Sequence, residues 1–205
     1  MARIKFSKGE LKKQRDALKQ YERYLPTLQL KKQQLQLEIL RQSVILEEKK
    51  RSQEKARQAI LTWLGLLEDP LISVKPYLVV NKITTGMKNI AGVDIPVYEK
   101  TEFAPAEYDL FLAPLWVDAA IESLRGYISL DAELSVINQG VILLKQELRI
   151  TTQRVNLFEK IKIPESKENI RLIKIYIGDQ LSNAVGRCKI AKRKIEDLVL
   201  EGAGV

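Results

Sequence analysis

Two positions of a heptad stay largely apolar from Leu11 to Leu67. One reads Leu11, Leu18, Leu25, Lys32, Ile39, Leu46, Gln53, Ile60, Leu67; the position three residues on reads Gln14, Tyr21, Leu28, Leu35, Gln42, Lys49, Ala56, Trp63. A stripe of this period lies along one face of an α-helix and forms the seam of a coiled coil, here with polar interruptions. No glycine occurs between Gly9 and Gly65, and Pro26 is the single proline of that stretch. At ~1.5 Å per residue the stripe needs a helix of roughly 85 Å. A helix that long does not turn back inside a globule, so the pattern predicts a rod.

The pattern returns after Pro114. Leu134, Val141, Leu148 and Val155 alternate with Ile137, Leu144, Thr151 and Phe158, and a further stripe past Pro164 sets Ile170, Ile177, Ala184, Ala191 and Leu198 beside Lys174, Leu181, Cys188 and Ile195. A second long helix, antiparallel to the first, is expected. A proline inside a helix removes one backbone hydrogen bond and crowds the preceding turn, so Pro26 and Pro164 are each expected to bend or interrupt their helix. Pairing the two prolines would bring both bends to one level. Cys188, on the stripe with Leu181 and Ile195, reads as a small buried hydrophobe, and Trp63, Trp116 and Tyr77 read as packing anchors.

Between the helical halves the grammar changes. Residues 75–84 and 93–101 are rich in β-branched and aromatic side chains, with Gly86 and Gly92 in the connection, and read as two paired strands. Pro76 and Pro96 confine them to edge pairing. An isolated hairpin is marginal in water, so this one must lean on the helices or on a partner. The fold class is therefore mostly α: a long antiparallel two-helix coiled coil with a small β-hairpin head in mid-chain. Three segments follow, with an N-terminal coiled-coil helix over 1–68, the hairpin head and its connections over 69–114, and a C-terminal coiled-coil helix over 115–205.

Charge is unevenly spread along the 205 residues, whose 34 Lys and Arg against 26 Asp and Glu give +8. Residues 1–60 hold 16 basic and 7 acidic groups, 61–144 hold 5 and 11, and 145–205 hold 13 and 8. Basic ends around an acidic middle suggest that the ends meet one partner and the middle another. Histidine is absent, which removes the commonest general base and metal ligand. No glycine arrangement can cradle a phosphate. The single cysteine, Cys188, allows no internal disulfide and fits a reducing compartment. Uncharged stretches such as Leu134–Leu144 fall short of the roughly 18 apolar residues of a membrane span, and the basic N-terminus does not continue as a signal peptide. No catalytic residue, cofactor or metal is expected. A basic coiled-coil protein binding membranes or nucleic acid is the alternative on these residues alone, although the hairpin stays unexplained by it and aromatics do not interleave with the basic clusters.

Thr151–Glu159, containing Arg154-Val155-Asn156, followed by Ile163-Pro164 and by Ile170, Ile173 and Ile177, resembles the R-V-N-A-L-E … I-P signature of the D subunit of V-type ATPases and ATP synthases. The run Asn89-Ile-Ala-Gly92-Val93-Asp-Ile95-Pro96 is similar to that family's hairpin, and Leu28–Leu35, with Lys31 and Lys32, to its Leu-Lys-rich first helix. Gln33-Gln34 stands where the family usually has Arg-Asp, and Asp179–Arg187 replaces an acidic run, which reads as a divergent, bacterial member. The resemblance implies a noncatalytic central rotor shaft of a proton- or sodium-translocating complex. Its termini would enter the hexamer of A and B subunits, and its other end would meet the F subunit and the C (or d) subunit above the membrane ring. The chain would then be cytoplasmic and peripheral to the inner or plasma membrane. Lys31, Lys32, Arg154, Asn156, Lys192, Arg193 and Lys194 become candidate hexamer contacts on that reading, and Asn89, Gly92, Val93, Ile95 and Pro96 the hairpin site.

Overall fold

The first helix, α1, spans Lys8–Leu61. Its start is built by Ser7, whose Oγ accepts the backbone N–H of Glu10 at 3.2 Å, satisfying one of the donors that every helix N-terminus leaves open. The computed structural model describes residues 5–68, 74–105 and 114–202, and the side chains of 66, 68 and 198–202 lie outside that description. After α1 come short 3₁₀ turns at Leu64–Glu68 and Lys75–Leu78, the strands β1 (Val80–Ile90) and β2 (Val93–Phe103), the helix α2 (Trp116–Leu157), a π turn at Phe158–Lys162, and the helix α3 (Ile163–Gly202). The expected linker from Phe103 to Pro114 falls largely on residues outside the description. Two units partition the chain: residues 30–152 form one, and residues 1–29 with 153–205 the other.

The heptad reading of α1 holds residue by residue, because every seam position from Leu11 to Trp63 is at least half-buried. Only Leu35 and Ile60 are fully buried on this helix. Two helices cover one face of each other, so burial on α1 is limited to the seam unless a third element adds to it.

In the 30–152 unit that element is the hairpin. Its strands pair antiparallel from Val80↔Phe103 to Ile90↔Val93, with irregularities beside Asn81 and Glu99. Ile95 of β2 is 3% exposed and packs with Leu35 of α1 and Leu144 of α2, while Ile39, Ile90, Ala91, Val93 and Leu148 close the cluster. A second cluster, Val74, Val117 and Ile121 with Tyr77, Leu78 and Trp116, sits at the hairpin's base. Strand length explains the fit: eleven residues at ~3.4 Å each reach about 37 Å, which matches the rise of α2 from Arg125 to Leu148 at ~1.5 Å per residue. The hairpin therefore leans along the coiled coil, as its marginal stability alone requires. It covers Gly140, which is buried although it stands off the heptad stripe.

The structure corrects three expectations. Lys75–Leu78 is a 3₁₀ turn, with Pro76 in its first positions, so β1 begins five residues later than Lys75 and runs through Gly86 to Ile90. Pro26 does not interrupt α1, and at Pro164 the chain stays helical but passes through the π turn just upstream. The prolines are not level either. Tyr21 stacks on Phe158 with ring centroids 5.2 Å apart and Phe6 meets Tyr176 at 5.1 Å, a register that puts Pro164 about two to three helical turns from Pro26. One 18-residue window within Trp116–Asp197 is, by length and composition alone, apolar enough to cross a bilayer once two charges are allowed. Leu134, Val136, Val141 and Leu144 of α2 are nevertheless buried within the protein.

Candidate partner-binding surfaces

The hairpin tip is a two-residue turn, Ala91-Gly92, with φ of 52° and 77°. Both signs positive match the type I′ turn, whose twist suits paired strands, and glycine takes that geometry without strain. Asn89 braces it from both sides: its Nδ2 donates to Asp94 Oδ1 at 2.6 Å and its Oδ1 accepts the Gly92 N–H at 3.2 Å. Lys31 of α1 reaches this tip, its Nζ lying 4.0 Å from where a Cβ on Gly92 would stand, and donates to Glu147 Oε1 at 2.8 Å. Four residues singled out in the sequence, Asn89, Gly92, Ile95 and Lys31, thus meet at one end of the hairpin. Val93 pairs with Ile90 in the same cluster, and Pro96 pairs with Met87 and lays its carbonyl over Gly140.

The other basic candidates are not gathered there. Lys32 is half-buried on the seam beside Lys31. Arg154 and Asn156 are exposed on either side of the buried Val155. Lys192, Arg193 and Lys194 are exposed on the last turns of α3, Lys192 within 3.7 Å of Glu196.

The end of α3 departs most from expectation. Phe6 and Tyr176 mark the last ring contact with the start of α1, and beyond it Leu181 (55%), Val185, Ile190 and Ile195 (61%) are exposed. Cys188, read as buried, is exposed with them. The stripe is real but α1 begins too late to cover it: about twenty-five residues of α3, nearly 40 Å at ~1.5 Å each, continue past its N-terminus. A second apolar surface lies in the 30–152 unit, where Gln33, Gln36, Leu37, Ile39, Leu40 and Leu148 line an open groove of about 640 Å³.

One structural residue carried no sequence signal. Arg125 donates from Nε and Nη2 to the Tyr77 carbonyl at 3.0 and 2.8 Å and from Nη2 to the Ala104 carbonyl at 2.5 Å, tying the entry and exit of the hairpin to α2. Its guanidinium also stands 5.2 Å over the Phe103 ring. A lone arginine in an amphipathic helix looks like any solvated charge until the backbone it holds is known.

The family model described as the ATP synthase D subunit matches residues 10–193. The chain belongs to that family. It is 44% identical over 195 residues to the V-type ATP synthase D subunit of Borreliella burgdorferi, covering 95% of this chain and 96% of that protein. With the V-type ATP synthase D subunit of Chlamydia trachomatis serovar L2 it shares 32% over 197 residues, covering 95% and 97%. The family match takes in α1, the hairpin and most of the uncovered part of α3. Membership of this family makes the chain a component of a larger assembly.

Proposed function

We propose that this chain is the central rotor shaft of a V-type ATP synthase or ATPase, a noncatalytic subunit that couples nucleotide turnover in an A/B hexamer to rotation of a proton- or sodium-carrying membrane ring. The observation that carries the reading is the end of α3: a long helix with exposed Leu181, Val185, Ile190 and Ile195 and a basic Lys192-Arg193-Lys194 tip, uncovered within its own unit. Apolar surface of that kind on one helix asks for a sleeve. A single asymmetric helix inside a ring of three equivalent A/B pairs cannot touch all three alike, so each angle stabilises a different set of open and closed states, and binding becomes linked to rotation. On this reading Arg154, Asn156, Lys32 and the Lys192–Lys194 cluster are hexamer contacts, whereas Lys31 acts through its tie to Glu147. The F subunit would occupy the groove at Leu37 and Leu40, and the C (or d) subunit would join the shaft to the ring on the cytoplasmic side of the membrane.

The test is to add the full-length chain, and a version ending at Gly178, to A/B hexamer prepared without a shaft. The full-length chain is expected to bind and raise ATP turnover, and the shortened one to fold but not to seat. Equal binding and turnover by both would overturn the assignment of α3 as the inserted element.

A further inference from the structure

The π turn at Phe158–Lys162 occupies a definite place in the apolar pattern. Carried forward from Leu148 and Val155, the α2 stripe would continue through 162, 169 and 176, and its companion from Thr151 and Phe158 through 165, 172 and 179. The buried face is centred elsewhere: Ser166, Ile170 and Ile173 are buried and Ile177 half-buried, whereas of the continued stripes Glu165, Leu172 and Tyr176 are exposed and only Asn169, at the edge of the new face beside Ile170, and the half-buried Lys162 keep cover. Past the π turn the core face is therefore displaced by one residue. A π turn uses i→i+5 bonds and takes up one more residue than the α turn it replaces, which is the amount the displacement requires.

Backbone bonding is also reduced near this turn. Pro164 brings no N–H to the turn that follows, and on α1 Pro26, about one turn from Tyr21, whose ring stacks on Phe158, brings none either. The Thr27 hydroxyl donates to the Tyr24 carbonyl at 2.7 Å, a side chain meeting a backbone acceptor in this turn.

We propose that the π turn is a built-in yielding point: it stores one surplus residue that puts the apolar stripe of α3 out of phase with that of α2, and it opens locally while the helix on either side stays closed. The surplus residue, not Pro164, imposes the turn. The inference does not depend on the rotor reading, since it is read on the isolated full-length chain.

Amide hydrogen exchange followed by mass spectrometry or NMR tests it. Amides of residues 158–167 are expected to exchange at least about tenfold faster than those of 145–155 and 168–176. Deleting the exposed Lys160 brings the two stripes into one heptad frame, so that variant is expected to fold and to slow exchange in this segment to the level of its neighbours. Pro164→Ala, which returns the missing N–H and keeps the surplus residue, is expected to leave exchange fast. Slow exchange in the unmodified chain, a deletion variant that unfolds or still exchanges fast, or restoration by Pro164→Ala alone would each overturn the proposal.

Discussion

Gly140 shows how one missing side chain sets the distance between hairpin and helix. A Cβ placed there would stand 3.8 Å from the Ile95 Cβ and 3.8 Å from the Pro96 carbonyl, an ordinary contact. Gly140→Ala is therefore expected to stabilise by up to about 1 kcal/mol through helix propensity. Gly140→Leu has no such room and is expected to cost roughly 1–3 kcal/mol by overpacking, with the Ile95 methyl resonances shifting as the strand lifts; urea denaturation reads both. Elsewhere on the surface, hydrogen bonds from the Arg171 guanidinium hold the Glu168 carboxyl below its ordinary pKa of 4.5. A depressed carboxyl contributes stability that is fully present above its ordinary pKa and lost as pH falls through the lower folded value. Because both groups are exposed the contribution is small, and the sharper measurement is carbon-13 titration: Arg171→Gln is expected to raise the Glu168 midpoint towards 4.5.

Among the elements, the hairpin's base is the natural place to release it. Arg125→Ala removes charged hydrogen bonds to two carbonyls, and is expected to destabilise the chain by about 2 kcal/mol. Arg125→Lys, a single donor head without the fork, should recover less than half of that in thermal melts. The elements differ in how far the sequence discloses them. The seam of α1 is legible because period alone decides which face is covered. The hairpin's existence is legible from Val, Ile, Thr and Tyr density, but its limits are not: Lys75-Pro76 looks like an extended start until Pro76 is seen opening a 3₁₀ turn, and Gly86 looks like a loop residue although it pairs with Val97. The π turn is present in the sequence only as a discrepancy, since stripes running 148, 155 and 170, 177 cannot share one heptad frame. Cys188 is exposed against expectation because a stripe tells which face is apolar and says nothing about whether a partner helix extends that far. The polar ties show the opposite case, where spacing becomes meaningful only with the register known. Lys31 meets Glu147 and Lys49 meets Glu133; a slip of one heptad would put Lys31 against Gly140 or Arg154, and Lys49 against Gly126 or Gly140. One register alone pairs both cations with carboxylates.

For the whole molecule, the uneven charge becomes a statement about assembly. An exposed ion pair contributes only ~0–1 kcal/mol, so losing Arg193 alone should barely weaken binding to an A/B hexamer. Neutralising Lys32, Lys192, Arg193 and Lys194 together, with Lys31 kept for its tie to Glu147, is expected to lower both the affinity and its dependence on salt, checked by titrating the variant into shaft-free hexamer at low and high ionic strength. Superimposable curves would mean that shape alone seats the chain. The antiparallel pairing has a further consequence, in time instead of space. Lys31 and Glu147 are 116 residues apart in the chain, and the rings that cover Phe6 and Tyr21 belong to Tyr176 and Phe158. A ribosome building this protein releases the start of α1 long before its partner exists. Residues 30–152 can close on themselves while the rest is still being made, but the first twenty-odd helical residues must wait, bare-faced, until the last quarter of the chain emerges. The amphipathic segment made first is thus the last to find cover, and nascent chains stalled near residue 150 should bind chaperones through Leu11, Leu18 and Leu25.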